Sequence, residues 1–189
     1  GYEDSSTIEN NSDNSNKAPE KNFFVDYNFE KPYEKRLIDE SNFADPIKYL
    51  NELDKANELH EDILKKLSKI LNQKNLIYKC SIHIDLYSEF KSRGKLFEAK
   101  TFNEKNLKRQ IRHGIIQLKE YFFFNSNYEK NIKLDTDLFL ILNKNPLKFL
   151  NNKFIDFLKN EQICICWFEK KTISTLDTNW NREKITWLL

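Results

Sequence analysis

The chain has 189 residues and a formal net charge of +2, with 31 Lys and Arg against 29 Asp and Glu. That balance excludes a uniformly basic protein, so any nucleic-acid surface must come from local clustering. Three cysteines cannot build a disulfide framework and leave an odd thiol, no apolar run approaches the roughly eighteen residues of a spanning helix, and no signal-peptide core is present. A cytoplasmic location with no membrane partner is therefore expected.

Residues 1–20 are rich in Asn, Ser, Asp and Glu, and they read as a flexible polar tail or linker. Aromatics return in 21–45 (Phe23, Phe24, Tyr27, Phe29, Tyr33), which suggests an N-terminal arm that packs on the domain or on a neighbour. The domain proper is expected over 46–189. Gly1 as first residue and the lack of Met read as a fragment of something larger. From Asp45-Pro46 to about Leu71 the apolar positions Leu53, Ala56, Ile63, Leu67 and Ile70 repeat at three and four, the spacing of one helix face, and His60 falls inside that stripe.

Strand signals follow. In Ile82–Tyr87 alternation puts Ile82, Ile84 and Leu86 on one face and His83, Asp85 and Tyr87 on the other. Lys91-Ser-Arg-Gly94 reads as a turn, and the strand 95–101 returns antiparallel, with Phe97 and Ala99 on one side and Glu98 and Lys100 on the other. Asn103 to Phe123 is a predicted helix with Asn103 as cap, a core stripe of Leu107, Ile111, Ile115, Leu118 and Phe122, and a second stripe of Gln110, Gly114, Gln117 and Tyr121. A buried strand around Leu138–Leu142, a helix from Asn145-Pro146, a strand Ile163–Phe168 and a short capping element ending in Ile185, Trp187, Leu188 and Leu189 complete the chain. The order implies an α/β fold, a mixed sheet flanked by helices.

The hairpin can set Asp85 opposite Glu98. Two carboxylates meeting there without function would repel, and a divalent cation with hard oxygen ligands, Mg²⁺ above all, would remove that repulsion. Lys100 follows at E-x-K spacing. An ordinary solvated strand face is the alternative. Basic clusters at Lys105, Lys108, Arg109, Arg112 and His113, and at Lys91, Arg93 and Lys95, could meet phosphates or simply be solvated. The pairs His83 with Asp85 and Cys164 with Cys166 lack the further ligands of a zinc site, and the two cysteines read as core.

These residues resemble the PD-(D/E)xK nuclease superfamily, and within it the RecB-like branch. The resemblance rests on Asp85, Glu98-Ala99-Lys100 and Gln117-Leu-Lys-Glu-Tyr121, the last matching a Q-x-x-x-Y motif. Ala56-Asn-Glu-Leu-His60 is similar to the branch's upstream Gly-x-x-x-His, with Ala for Gly, and Ile84 stands where the family name has Pro. The resemblance implies a restriction-endonuclease-like fold from about Pro46 to Phe168. It implies Mg²⁺ (Mn²⁺ as substitute) on Asp85, Glu98 and the Ala99 carbonyl, with a further ligand from the upstream helix: His60, Glu61 or Glu58. Lys100 would orient or help deprotonate the attacking water, with Gln117 beside it as a catalytic group. Gln110 and Tyr121, with Lys108, Arg109 and Arg112, would contact nucleic acid. The function expected is metal-dependent hydrolysis of phosphodiester bonds, in DNA by preference, as the cleavage module of a restriction, defence or mobile-element protein. A partner domain or subunit would supply recognition, and a homodimer would cut both strands. The rival readings are an inactive nuclease-fold scaffold that binds nucleic acid and an RNA-cleaving toxin.

Overall fold

The computed structural model describes residues 46–188 except 82, 171 and 177–178; the expected tail (1–20) and arm (21–45), Ile82 and Leu189 lie outside the described residues. The chain forms α1 (Pro46–Gln73), β1 (Tyr78–Lys79), β2 (Leu86–Phe90), β3 (Arg93–Lys100), α2 (Leu107–Asn127), β4 (Thr136–Leu142), α3 (Asn152–Asn160), β5 (Cys164–Glu169), β6 (Thr172–Thr175) and α4 (Asn179–Ile185). A 3₁₀ turn at Leu147–Phe149 precedes α3. The strands make one six-stranded sheet in the order β1-β2-β3-β4-β5-β6. Its centre, β3-β4-β5, is parallel, and an antiparallel partner flanks it on either side. The helices α2 and α3 are the crossovers that parallel neighbours require.

Alternation on β3 divides the core in two. Leu96 joins the cluster formed with Leu107, Ile111, Ile115 and Leu118 of α2 and Phe154 and Leu158 of α3. Phe97 and Ala99 join the opposite cluster, with Ile63, Leu64, Leu67 and Leu71 of α1 and Ile185 and Leu188 beyond the sheet. The fold is therefore α/β, with α2 and α3 on one face of a mixed sheet and α1 and α4 on the other. Each fully buried aliphatic side chain in these layers contributes about 1.5–3 kcal/mol relative to exposure. The even positions of β3, Glu98 and Lys100, fall on the α2 face as the alternation requires.

A second polar cluster lies at the other end of the sheet. Asp137, 4% exposed at its side chain, accepts from Arg93 Nη2 at 2.8 Å, Lys95 Nζ at 2.5 Å and Lys184 Nζ at 2.5 Å. Lys95 also stands over the Trp187 ring, 5.4 Å from its centroid. These contacts tie α4 and the residues after it to β3 and β4.

Several sequence expectations need correction. Ile84 and Leu86 do not share a face: Ile84 packs with Tyr87 on the α2 side and Leu86 on the α1 side, because regular pairing begins only at Leu86. Gly94 is not part of the turn. It lies within β3 beside Thr136 and Tyr87, where a Cβ would collide with the Thr136 side chain. The turn is the two residues Lys91 and Ser92, both at positive φ (48° and 68°). Helix α2 starts at Leu107 and not at Asn103, whose Oδ1 accepts from Lys105 N and Asn106 N and closes a separate turn ahead of the helix. The segment from Asn145 divides into the 3₁₀ turn and α3, which Asn151 caps by accepting from Phe154 N at 2.9 Å. The expected capping element is a strand, β6, followed by α4.

Candidate functional site

The site is built where β2 ends. The last β2–β3 pair on that side is Leu86 with Phe97, and continuing the register by one residue sets Asp85 across from Glu98. Beyond the paired segment Ala99 N donates to Asp85 Oδ2 at 2.7 Å, so the carboxylate takes an amide that strand pairing would otherwise hold. The same oxygen lies 3.1 Å from His60 Nε2. His60 comes from α1, one turn before Ile63 and Leu64 on the buried stripe, and its side chain is 32% exposed. A residue that the spacing marks as part of a core face thus sits where that face gives way to the carboxylate.

Glu98 Oε1 accepts from Lys100 Nζ at 2.6 Å, with side-chain exposures of 4% and 17%. Glu98 can lie this deep because the ammonium is beside it; an unpaired buried carboxylate would cost several kcal/mol. Burial, and next the charge of Asp85, push the Glu98 carboxyl up to about 7, while Lys100 and His60 pull it down. Burial acts to lower the His60 pKa, but the hydrogen bond and the charge of Asp85 outweigh it and the imidazole is raised. Two carboxylates, one imidazole and one ammonium thus lie within each other's fields.

Helix α2 closes the other side. Gly114 lets it approach β3, with the position of a Cβ only 3.2 Å from Lys100 Cγ. Gln117 Nε2 donates to Tyr121 Oη at 3.0 Å, and Gln117 Oε1 is buried with no hydrogen-bond partner among the described residues. Burial raises the Tyr121 hydroxyl, and the charges of Glu98 and Asp85 raise it further against the Gln117 bond, so the phenol belongs to the same electrostatic environment. The His83 ring centroid is 6.4 Å from that of Tyr121.

The fold therefore brings together His60, Asp85, the Ala99 backbone, Glu98 and Lys100, with Gln117 and Tyr121 beside them. On α1, Glu58 is exposed and Glu61 half-buried; the helix side chain bonded to Asp85 is His60. Gln110 is half-buried two turns nearer the start of α2. Lys108, Arg109 and Arg112 stand exposed there, and Lys108 and Arg112 lie over the Phe154 ring at 5.6 and 5.4 Å from its centroid. His83, set aside when paired only with Asp85, is found at the rim, and its place on the Asp85 face of the predicted strand was the signal. Cys164 and Cys166 are buried with free thiols, as a core reading requires.

Among the described residues no group of three His, Cys, Asp or Glu side chains is already arranged to hold a metal ion. The side chains present could nevertheless serve as donors to a divalent cation. Asp85 and Glu98 are hard oxygen donors close enough for one charge to oppose ionisation of the other. A cation would relieve that opposition, and His60 adds a nitrogen at the same carboxylate.

No family model matches the chain, and neither does any curated protein or any solved structure. No helix among the described residues is long and apolar enough to cross a membrane.

Proposed function

We propose that this chain is a metal-dependent nuclease that hydrolyses phosphodiester bonds, with DNA as its substrate and the cytoplasm as its place of action. The observation that carries the reading is the convergence of Asp85, Glu98 and Lys100 at the open end of the β2–β3 pairing, with His60 on the Asp85 carboxylate. Asp85, Glu98, His60 and the Ala99 carbonyl would hold the cation, Mg²⁺ or Mn²⁺ in its place. Bound there, it would acidify a water and offset charge on the phosphate. Asp85 is oriented for this by the Ala99 amide, which fixes one of its oxygens, and His60 Nε2, which lies 3.1 Å from that oxygen, would exchange this contact for the cation. Lys100 presents an ammonium beside Glu98, where it orients the attacking water and balances the charge that builds on phosphate oxygens. The vacant Gln117 Oε1 can accept from that ammonium or from a water, while Tyr121 fixes the other end of the amide. As a cleavage module it would rely on a partner domain or subunit for recognition and on a second copy to cut both strands.

One observation favours a second reading, an inactive nuclease-fold scaffold: no three-ligand group stands ready among the described residues. The two readings separate in one experiment. The purified chain is incubated with plasmid, linear duplex, single-stranded DNA and RNA in Mg²⁺, Mn²⁺ or EDTA, beside Lys100→Ala and Glu98→Gln. Cleavage should require metal and fall by about 10²-fold or more in both variants. Intact substrates throughout, with no heat of metal binding by calorimetry, would leave the scaffold standing. Cleavage of RNA alone would move the substrate to RNA.

A further inference from the structure

The chain as a whole carries 31 basic and 29 acidic side chains, yet two segments break that balance. Residues 102–113 hold Lys105, Lys108, Arg109 and Arg112 against Glu104 alone. Residues 143–154 hold Lys144, Lys148 and Lys153 with no acid. All seven cations are exposed. Among the described residues none of the seven has a carboxylate within salt-bridge distance, whereas Lys66, Lys119, Lys133 and Lys159 elsewhere on the surface each do.

The fold sets the two segments side by side. Asn143 Oδ1 accepts from Phe102 N at 3.1 Å, and the Phe102 and Phe149 rings meet edge to face at 6.2 Å. Lys144 Nζ stands 5.2 Å from the centroid of each of these rings. Across the seam, Lys108 and Arg112 of α2 lie over Phe154 of α3. Aromatic faces hold these cations in place without neutralising them, so their charge stays available to an outside anion. Both segments leave the carboxyl ends of parallel strands, β3 at Lys100 and β4 at Leu142. That is the edge where open α/β sheets bind ligands, and Glu98 and Lys100 lie at the same end of β3.

We propose that this ridge, formed by the start of α2 and the β4–α3 connection, is the track on which a nucleic-acid backbone lies as it passes the carboxylate pair. Seven like charges with Glu104 among them and Glu169 at their margin, where it accepts from Asn145 and feels Lys148, still repel on balance, and a chain of phosphates is the occupant that turns the repulsion into binding. Lys144, Lys148 and Lys153 carry the new assignment, since they sit on a segment that the helix pattern alone keeps apart from α2. The inference rests on the nuclease reading for the nature of the polyanion, while its test is independent of cleavage.

The test uses the full chain in EDTA. Fluorescence anisotropy follows a labelled single-stranded DNA oligonucleotide, its duplex and an RNA of the same sequence between about 50 and 200 mM salt. The triple variant Lys144→Gln/Lys148→Gln/Lys153→Gln should bind about tenfold more weakly or worse. Its slope of log affinity against log salt should fall by about 2, from about 0.7–0.9 per lost phosphate contact. A control, Lys65→Gln/Lys69→Gln on the exposed side of α1, should match the parent, and circular dichroism should show all three proteins folded alike. Parent-like affinity and slope in the triple variant would overturn the proposal. So would a parent that ignores all three oligonucleotides, even if it bound anionic vesicles. If the ridge variant weakens binding while the parent never cleaves in Mg²⁺, the track stands and the nuclease reading falls.

Discussion

Gly114 shows how one absent side chain can hold a site together. A Cβ there would run into Leu140 Cδ1 and press on Lys100 Cγ at 3.2 Å, so α2 can lie this close to β3 only without one. Gly114→Ala should therefore lower stability by about 1–3 kcal/mol, read as a shift in the urea midpoint, as overpacking in a close-packed layer does. Cleavage by the variant should fall further than its folded fraction explains, because the added methyl pushes on the Lys100 stem. An unchanged midpoint would mean that the helix yields freely. At this scale alternation separates Glu98 and Lys100 from Phe97 and Ala99 on β3, where pairing is regular. It fails around Asp85, which precedes the first paired residue of β2, so that Ile84 and Tyr87 share a side that alternation divides. Gly94 was misread for a physical reason. Glycine serves tight turns and close approaches alike, and only the parallel neighbour Thr136 tells which use applies.

Among the elements, the β2–β3 hairpin does most to assemble the site. Its two-residue turn has both residues in the left-handed region, the combination of a type I′ turn, and this fixes the pairing from Phe90–Arg93 to Leu86–Phe97. Lys and Ser are poor residues for that conformation, each costing about 1 kcal/mol relative to residues that tolerate it. Lys91→Asn/Ser92→Gly should thus raise stability by about 1–2 kcal/mol in chemical denaturation while leaving cleavage unchanged. A loss of stability would show that the turn is held by something other than local backbone preference. Helix and strand types were legible from periodicity because each element keeps a single buried face. Their ends were less so. Asn103 has the chemistry of a helix cap but spends it on the turn before α2, and the pattern from Asn145 onward cannot reveal that a 3₁₀ turn is interposed. The pairing of β6 with β5 depends on long-range register, to which the short run Thr172–Thr175 gives little local signal.

For the whole molecule, the cluster on Asp137 links α4 to the central strands and should govern acid stability. Burial acts to raise this carboxyl, but hydrogen bonds from Lys184, Lys95 and Arg93 overcome it and hold the pKa at about 2, below its ordinary 3.8. A depressed acid stabilises the fold fully above its unfolded value and loses that contribution as pH falls through the folded one. The urea midpoint should therefore drop between about pH 4 and pH 2 more steeply in the parent than in Asp137→Asn. At neutral pH Asp137→Asn should itself cost about 3 kcal/mol or more, since it strands Lys95, whose side chain is 5% exposed. Equal slopes in the two proteins would place the acid-labile group elsewhere. This cluster is not legible in the sequence, because the pair Arg93 and Lys95 is distant from Asp137 and Lys184 and meets them only through the parallel pairing of β3 with β4 and the return of α4.

The sheet also governs how molecules of this protein can meet. Its two outer strands are β1, with two residues, and β6, with four. Strands that short expose too few unpaired amides and carbonyls to template another chain, and the charged Lys79 blunts one of them further. Edge-to-edge growth, with the aggregation that follows from it, is thereby suppressed although the sheet's interior is almost wholly apolar. Among the described residues a second copy would find helices and loops and no long sheet edge to join, so that the two candidate sites would be set apart by helix packing and not by a shared sheet.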